Sequence, residues 1–251
     1  MFVTTQWQLL DPISAVVFDC DGTLTTIEGI DELAKHRGVY SEVQFLTAQA
    51  MGQTGINPEL YQKRLELVCP TKQQVLALGE HYFTQRVPHI TDVIQVFAHL
   101  HKSVYIISAG LYPAVAAFGE MLQIPRENIF AVDIQFDMHD HFSSYDVKSP
   151  LLHNHGKRDI IAHLKTLHKE ILYVGDGLND YATAEIVQRF VGYGGVFYRE
   201  NIAKLCEHYI HSLSMAPLLP LALTPAEYKK LTPKEQALYQ LGVRQLMKAT
   251  S

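Results

Sequence analysis

The chain has 251 residues, of which 47% are hydrophobic and 19% charged, the ordinary balance of a globular protein with one or two domains. The formal net charge is −5 and no stripe of Lys and Arg stands out, so we expect no nucleic-acid partner. The first ten residues have no basic start and no long apolar run, which predicts neither a secretion signal nor a membrane partner.

The number and spacing of the cysteines predict the cellular compartment of the protein. Cys20, Cys69 and Cys206 are far apart in the sequence and odd in number. A disulfide framework needs pairs, so we expect reduced thiols and a cytoplasmic protein.

Apolar runs alternate with helical stretches along most of the chain. The runs predict strands at Ala15–Phe18, Ser103–Ile107, Ile129–Asp133, Ile171–Val174, Phe190–Tyr193 and His208–Ile210. Helices are predicted between them at Asp92–His101, Tyr112–Leu122, Lys157–Leu167, Asp180–Gln188 and Glu200–Cys206. This alternation is typical of a doubly wound α/β fold with a mostly parallel, Rossmann-like sheet.

Residues 25–88 interrupt the alternation with four consecutive predicted helices. The first helix, Asp31–Arg37, is predicted to stop at Gly38, and the second to begin with a capping box at Ser41–Gln44 and to stop at Gly52. The third is predicted to begin at Asn57-Pro58 and to stop at Pro70, and the fourth to begin with a capping box at Thr71–Gln74. We interpret residues 25–88 as a helical cap inserted into an α/β core formed by residues 1–24 and 89–212. Residues 213–251, with several prolines and two more capping boxes, predict a C-terminal extension of two short helices.

Four short polar segments follow predicted strands or loops. They are Asp19-Cys20-Asp21-Gly22-Thr23, Ser108-Ala109-Gly110, Gly156-Lys157 and Gly175-Asp176-Gly177-Leu178-Asn179-Asp180. Open α/β sheets place ligands at the carboxyl ends of their strands, so we expect these segments to meet there. Two pairs of acids beside one Ser and one Lys indicate a site for a cation and a phosphate.

The residue types fit the hydrolysis of a phosphate ester. Asp19 is predicted to be the nucleophile that forms an aspartyl-phosphate. Asp21 is predicted to protonate the leaving oxygen and then to deprotonate the attacking water. Gly22, Ser108, the backbone N–H of Ala109 and Lys157 are predicted to bind the phosphate. Mg²⁺ is the predicted cofactor, with Asp19, Asp176 and the carbonyl oxygen of Asp21 as ligands and Asp180 in support.

Taken together, the four segments resemble those of the haloacid dehalogenase superfamily, and the helical insert resembles the cap of its phosphoserine phosphatase-like branch. The stretch Glu28-Gly29-Ile30-Asp31-Glu32-Leu33-Ala34-Lys35 is similar to the cap entry of that branch. The resemblance implies that Glu28 meets the ammonium of the substrate, that Arg64 meets its carboxylate and that Met51 lines the pocket. Asn179 is also expected to bind substrate.

Other interpretations of these residues remain open at this stage. Glu28 is also explained as an exposed acid near a helix N-terminus. Arg64 is also explained by pairing with Glu59 or Glu66 along its helix. Two departures from the branch concern its usual Ser-Gly-Gly, here with Ala109, and its usual Phe in the cap, here replaced by Asn57.

We therefore expect a Mg²⁺-dependent phosphomonoesterase acting on a small phosphorylated metabolite, with L-phosphoserine as the leading substrate. Phosphocholine, phosphoethanolamine or pyridoxal phosphate would be alternatives accepted by a related cap. A phosphomutase uses the same four segments and is less favoured. An idle binding protein is disfavoured, because all five of Asp19, Asp21, Lys157, Asp176 and Asp180 are present. The sequence leaves the oligomeric state undetermined.

Overall fold

The fold is known from a computed structural model that describes residues 7–51 and 57–249, without the side chains of residues 49–51 and 249. Within those residues, six strands form one sheet in the order β3-β2-β1-β6-β7-β8 and two form a hairpin, β4-β5. The strands are β1 Ala15–Phe18, β2 Ser103–Leu111, β3 Ile129–Val132, β4 Ile134–Phe136, β5 Phe142–Tyr145, β6 Ile171–Gly175, β7 Arg189–Tyr193 and β8 His208–Ile210.

All neighbours in the six-stranded sheet are parallel, which confirms the predicted fold class. β1 lies near the middle and pairs with β2 on one side and with β6 on the other. Every residue of β1 and β6 is buried, as expected for strands covered by helices on both faces. The chain order reverses at β1, so the crevice beside its carboxyl end is the topological switch point of the sheet.

Four helices follow β1, as predicted: α1 Gly29–Arg37, α2 Tyr40–Met51, α3 Pro58–Val68 and α4 Lys72–Thr84. Gly38, with φ of +74°, ends α1, Asn57 caps α3, and the capping box of Thr71 and Gln74 opens α4. The capping box predicted at Ser41 is wrong. Since α2 already begins at Tyr40, Ser41 lies inside the helix, and Gln44 donates to the hydroxyl of Tyr40 instead (2.7 Å). The predicted stop at Gly52 falls outside the described residues.

The remaining helices are α5 Ile90–His99, α6 Tyr112–Met121, α7 Gly156–Leu164, α8 Leu178–Tyr181, α9 Glu200–Leu205, α10 Leu218–Ala222, α11 Pro225–Tyr228 and α12 Pro233–Ala249. The helix predicted over Asp180–Gln188 is much shorter. After Tyr181 the chain continues in turns, and the Thr183 hydroxyl donates back to the carbonyl of Asp180 (2.7 Å), a bond that competes with helix continuation.

The C-terminal extension also differs from its prediction. The last helix is long, with 17 residues, and α10 is an additional helix. Pro220 is compatible with α10 because it lies in the first turn, where a backbone N–H has no partner within the helix. No helix in the described part of the chain has the length and apolar character needed to cross a membrane.

Candidate active site

The four polar segments lie together at the carboxyl edge of the sheet, around the ends of β1, β2 and β6. One cavity collects most of the predicted site residues. It is lined by Asp19, Asp21, Glu28, Gly29, Ile30, Tyr61, Arg64, Leu65, Leu78, Tyr82, Ser108, Ala109, Gly110, Leu111, Lys157, Asp176 and Asn179. Residues from the turn after β1, the cap helices, β2, α7, the turn after β6 and α8 therefore share one site.

A lysine lies between two of the aspartates. Nζ of Lys157 donates to Oδ1 of Asp19 at 2.5 Å and to Oδ1 of Asp180 at 2.6 Å, and all three side chains are buried. Burial opposes the charge of Lys157, yet Asp180 and Asp19 raise its pKa. Burial and the charge of Asp180 raise the pKa of Asp19, whereas Lys157 lowers it. The lysine thus holds the Asp19 carboxylate in place by a charge-assisted hydrogen bond.

Asp180 is fixed from two other directions. The hydroxyl of Tyr173 in β6 donates to its Oδ1 (2.8 Å), and the backbone N–H of Gly177 donates to its Oδ2 (2.9 Å). A Cβ on Gly175 would lie 2.3 Å from the carboxyl carbon of Asp180, so this position requires glycine. With these contacts, Asp180 has no freedom to turn away from the cluster.

Asp176 is the third aspartate of the cluster, and it contacts Arg199. Nη1 of Arg199 donates to the main-chain carbonyl of Asp176 (2.9 Å) and also contacts its carboxylate. Burial raises the pKa of Asp176 to about 6, although Arg199 lowers it. The cluster therefore has a cation on each side, Lys157 and Arg199.

The aspartate cluster fits a hard divalent cation. Oxygens of Asp19, Asp176 and Asp180 lie within 4.8 Å of one another, and all three residues are buried. Buried carboxylates repel one another and need a compensating cation, and Mg²⁺ prefers oxygen ligands. The carboxylate of Asp21 is not among these oxygens and accepts hydrogen bonds from Tyr82 and Gly29 instead.

The turn after β1 has no side chain at Gly22, which lets other groups come close to its backbone. Gly22 has φ of +70°, and a Cβ there would lie 2.8 Å from Oδ2 of Asp176 and from the ring of Phe197. Across the crevice, Oγ of Ser108 accepts a hydrogen bond from the N–H of Gly110 (2.9 Å), which orients the hydroxyl. Ala109 lines the same cavity. The cavity beside Asp19 is thus bordered on one side by a turn without a side chain at Gly22 and on the other by the hydroxyl of Ser108.

Asp21 is held by the cap. Its Oδ1 accepts hydrogen bonds from the hydroxyl of Tyr82 and from the backbone N–H of Gly29, both at 2.7 Å. Its Oδ2 lies 3.5 Å from Oγ of Ser108. Burial raises the pKa of Asp21, whereas the two hydrogen bonds lower it.

Glu28 lies at the cap entry, immediately before α1. It occupies the N-cap position of α1, as an acid favoured near a helix N-terminus would, but it is half-buried rather than exposed and its side chain makes no capping hydrogen bond. Burial, together with the charge of Asp21, raises the pKa of Glu28 well above its ordinary value. A cation bound beside Glu28 would relieve this cost.

Arg64 is a buried cation facing the same cavity, and only 6% of it is exposed. Its Nε has no hydrogen-bond partner, and Nη1 lies 3.5 Å from the hydroxyl of Thr47, which itself donates to Asp31 (2.7 Å). The alternative pairing with Glu59 or Glu66 is absent from the described residues, where Glu66 accepts from Gln62 instead. Burial lowers the pKa of Arg64, which shows how poorly the protein solvates this charge.

Three other predicted positions have different outcomes. Asn179 lines the cavity, and its side-chain oxygen accepts the backbone N–H of Asp180 (3.1 Å). The side chain of Met51 lies outside the described part of the structure. Asn57 has a structural role, because its Oδ1 accepts the N–H of Leu60 (2.9 Å) and so caps α3.

Sequence reasoning missed Tyr82, Tyr173 and Arg199. A detectable signal existed for Tyr173, since a tyrosine inside a fully buried strand must find a partner for its hydroxyl. Tyr82 and Arg199 come from α4 and from the residue before α9, far from any of the four segments. Only the packing of the folded chain brings them to the site.

Comparison with known proteins places this site in a family. A profile of haloacid dehalogenase-like hydrolases matches residues 13–187. Phosphoserine phosphatases of Bos taurus and Homo sapiens are 33% and 32% identical to the chain over 198 residues, which are 78% of this chain and 88% of each relative. A solved phosphoserine phosphohydrolase-like protein from Francisella tularensis subsp. tularensis SCHU S4 superposes with a TM-score of 0.72 at 25% identity, over 80% of this chain and 96% of that one.

Proposed function

This chain belongs to the haloacid dehalogenase-like hydrolases and is a phosphatase, and we propose that its substrate is L-phosphoserine. The observation that carries the proposal is the buried Arg64, which has no carboxylate partner among the described residues and lies in the same cavity as Glu28, Asp19 and Asp176. A guanidinium without a carboxylate partner is costly to bury, and a bound carboxylate would satisfy it. The names of the relatives support the same substrate.

In the proposed reaction Asp19 is the nucleophile. Its carboxylate oxygen bonds to phosphorus while the bond from phosphorus to the serine oxygen breaks, and a proton from Asp21 moves to that oxygen. Water then attacks the aspartyl-phosphate and gives its proton to Asp21, which releases phosphate and regenerates Asp19. The 2.5 Å hydrogen bond from Lys157 supports this assignment, because it holds Asp19 at the edge of the crevice.

The phosphoryl group would be held by donors on two sides. We assign the Ser108 hydroxyl and the backbone N–H groups near Gly22 and Ala109 to its oxygens. Lys157 supplies positive charge where negative charge develops. The need for glycine at position 22 supports this, since any side chain would fill the space next to Asp176.

Mg²⁺ is the proposed cofactor, held by Asp19, Asp176 and the carbonyl oxygen of Asp21, with Asp180 in support. When bound, it would neutralise the phosphoryl oxygens and the crowded carboxylates. The donor set of three buried carboxylates supports this choice.

The cap would select the amino acid. We propose that Glu28 binds the ammonium of phosphoserine and that Arg64 binds its carboxylate. Asn179 and Met51 are proposed to complete the pocket. The half-buried Glu28, whose side chain makes no capping hydrogen bond, and the unpaired Nε of Arg64 support this division.

We also keep, as proposals, the domain division and the compartment expected from the sequence. We propose that residues 25–88 act as the cap on a core of residues 1–24 and 89–212, with residues 213–251 as an extension. A cytoplasmic setting is proposed on the three cysteines, all of which are free thiols in the described residues.

The test is phosphate release from a panel of esters with Mg²⁺. The panel contains L-phosphoserine, phosphoethanolamine, phosphocholine, pyridoxal phosphate and an aryl phosphate. We expect the highest kcat/KM for L-phosphoserine. A higher value for any other natural ester would overturn the proposed substrate while leaving the phosphatase chemistry intact.

A further inference from the structure

The feature that the proposed chemistry leaves unexplained is how the carboxyl group of Asp21 is aimed. Asp21 belongs to the turn after β1, yet both hydrogen-bond donors to its Oδ1 come from the inserted helices. They are the hydroxyl of Tyr82 in α4 and the backbone N–H of Gly29 in α1, each at 2.7 Å. Two donors on one oxygen fix the rotation of the whole group.

Tyr82 is itself rigidly placed. It is 1% exposed, and its ring lies 5.6 Å from the ring of Phe118 in α6. On the same helix, Gly79 allows α4 to approach α6 closely, since a Cβ there would lie 2.7 Å from Cβ of Ala117. The tyrosine therefore comes from a helix, α4, that packs closely against α6 of the α/β core.

Gly29 makes room for the tyrosine hydroxyl. A Cβ at this position would lie 1.8 Å from the oxygen of Tyr82, which is less than any real contact. A side chain at position 29 would thus push the hydroxyl away from Asp21. The hydroxyl of Tyr82 and the N–H of Gly29 can both reach Oδ1 of Asp21 because position 29 has no side chain.

The geometry leaves Oδ2 as the oxygen that faces the reaction. Oδ2 of Asp21 accepts a long hydrogen bond from Oγ of Ser108 (3.5 Å), in the irregular last part of β2. Oδ1 already accepts two short hydrogen bonds, whereas Oδ2 accepts only the long one from Ser108, so we place the proton of the acid form on Oδ2. That oxygen is the one beside the proposed phosphate position.

We propose that Tyr82 is a positioning residue, which together with the N–H of Gly29 turns Asp21 so that the proton on Oδ2 points at the leaving oxygen of the ester. The inference rests on the proposed role of Asp21. As the bond between Asp19 and phosphorus forms and the ester bond breaks, this proton moves from Oδ2 to the departing alkoxide. Without Tyr82 the carboxyl group can rotate, and fewer molecules present the proton correctly.

The consequence depends on the leaving group. An alkoxide such as that of serine needs the proton, whereas an aryl oxide departs without it. Tyr82→Phe should therefore lower kcat/KM for L-phosphoserine about 10- to 100-fold, a part of the usual contribution of a general acid. For 4-nitrophenyl phosphate the same variant should stay within about threefold of the wild type, because protonation is not required there.

The experiment measures kcat/KM with Mg²⁺ for one alkyl and several aryl phosphates of graded leaving-group basicity. Tyr105→Phe is the matched control, because it removes a hydroxyl bonded to His168 at the opposite edge of the sheet. Gly29→Ala is the second variant and should show the same selective loss. Asp21→Asn provides the reference pattern for an absent acid, and thermal melting of each variant verifies the fold.

The outcomes separate this inference from the proposed function. Loss of the same size on every ester, or no loss on any, would overturn the positioning role of Tyr82. If Asp21→Asn shows no dependence on the leaving group, the proposed acid is wrong and the inference fails with it. If the wild type prefers another alkyl phosphate, only the proposed substrate fails, and the Tyr82 comparison is made with that ester.

Discussion

The two sides of the active-site cavity treat their charges in opposite ways. On the sheet side, Asp19, Asp176 and Asp180 are each paired with Lys157 or Arg199. On the cap side, the buried Arg64 and the half-buried Glu28 form no ion pair within the described residues, and Nε of Arg64 has no hydrogen-bond partner there. Paired charges keep a fixed geometry, whereas unpaired ones are costly until a ligand arrives. The difference supports the proposal that the residues on the sheet side carry out the reaction and those on the cap side select the substrate.

The largest effect is expected on the sheet side. Asp19→Asn removes the proposed nucleophile and should lower kcat by roughly 10⁴-fold or more on every ester, since residues that act as one catalytic unit fail together. The fold should persist, because Lys157 keeps its hydrogen bond to Asp180. Phosphate release and thermal melting are the measurements. Appreciable turnover by this variant would exclude the covalent route.

The next effect belongs to the cap side. Arg64→Ala should raise KM for L-phosphoserine about 30- to 100-fold, the equivalent of losing charged hydrogen bonds worth roughly 2–3 kcal/mol. The maximal rate should change much less, since Arg64 contacts none of the reacting atoms in the proposed complex. Lys63→Ala, which removes an exposed cation next to Arg64 on the same helix, is the matched control. An equal change in both variants would contradict a carboxylate-binding role.

The sheet side of the site was also easier to predict from the sequence than the cap side. Asp19, Lys157 and Asp176 were predictable because each follows a buried strand or opens a helix, and parallel strands deliver their ends to one edge. Ser108 was predictable in the same way, although β2 is longer than predicted and continues past it to Leu111. Asp180 was predictable as a site residue, but the length of its helix was not, because the side-chain bond of Thr183 is a local competitor that periodicity does not reveal.

The cap side was less accessible to sequence reasoning. Arg64 and Glu28 were found through a family resemblance, since a lone Arg on a helix has a ready explanation as a surface ion pair. No sequence pattern pointed to Tyr82, because its position depends on the packing of α4 against α6 and on the absence of a side chain at Gly29. Contacts of this kind arise only from tertiary structure.

Metal binding provides a smaller effect that concerns the sheet side alone. At about 100 times its dissociation constant, Mg²⁺ should stabilise the fold by about 2.7 kcal/mol. For a chain of this size that corresponds to a rise in Tm of roughly 5–10 °C relative to protein in EDTA. Melting curves with and without Mg²⁺ measure the shift. Asp176→Asn should remove most of it, and an undiminished shift in that variant would place the ion elsewhere.

The smallest effect tests whether Asn57 belongs to specificity or to structure. Asn57→Ala should cost about 1 kcal/mol of unfolding free energy, the usual value of a lost helix N-cap. The ratio of kcat/KM for L-phosphoserine to that for phosphoethanolamine should not change. Urea unfolding and the two rates are the measurements, and Asn57→Asp, which keeps the capping oxygen, is the control. A changed ratio would move Asn57 into the selective side of the cavity.

The proposal that the cap side selects the substrate is tested most directly by measuring kcat/KM of two cap variants on three esters. L-Phosphoserine carries both an ammonium and a carboxylate, phosphoethanolamine carries only the ammonium, and a deaminated analogue, phospho-3-hydroxypropionate, carries only the carboxylate. We expect Glu28→Gln to lower kcat/KM for the first two esters, and Arg64→Ala to lower it for the first and third. Losses that ignore the groups on the ester would contradict the assignment of substrate choice to the cap.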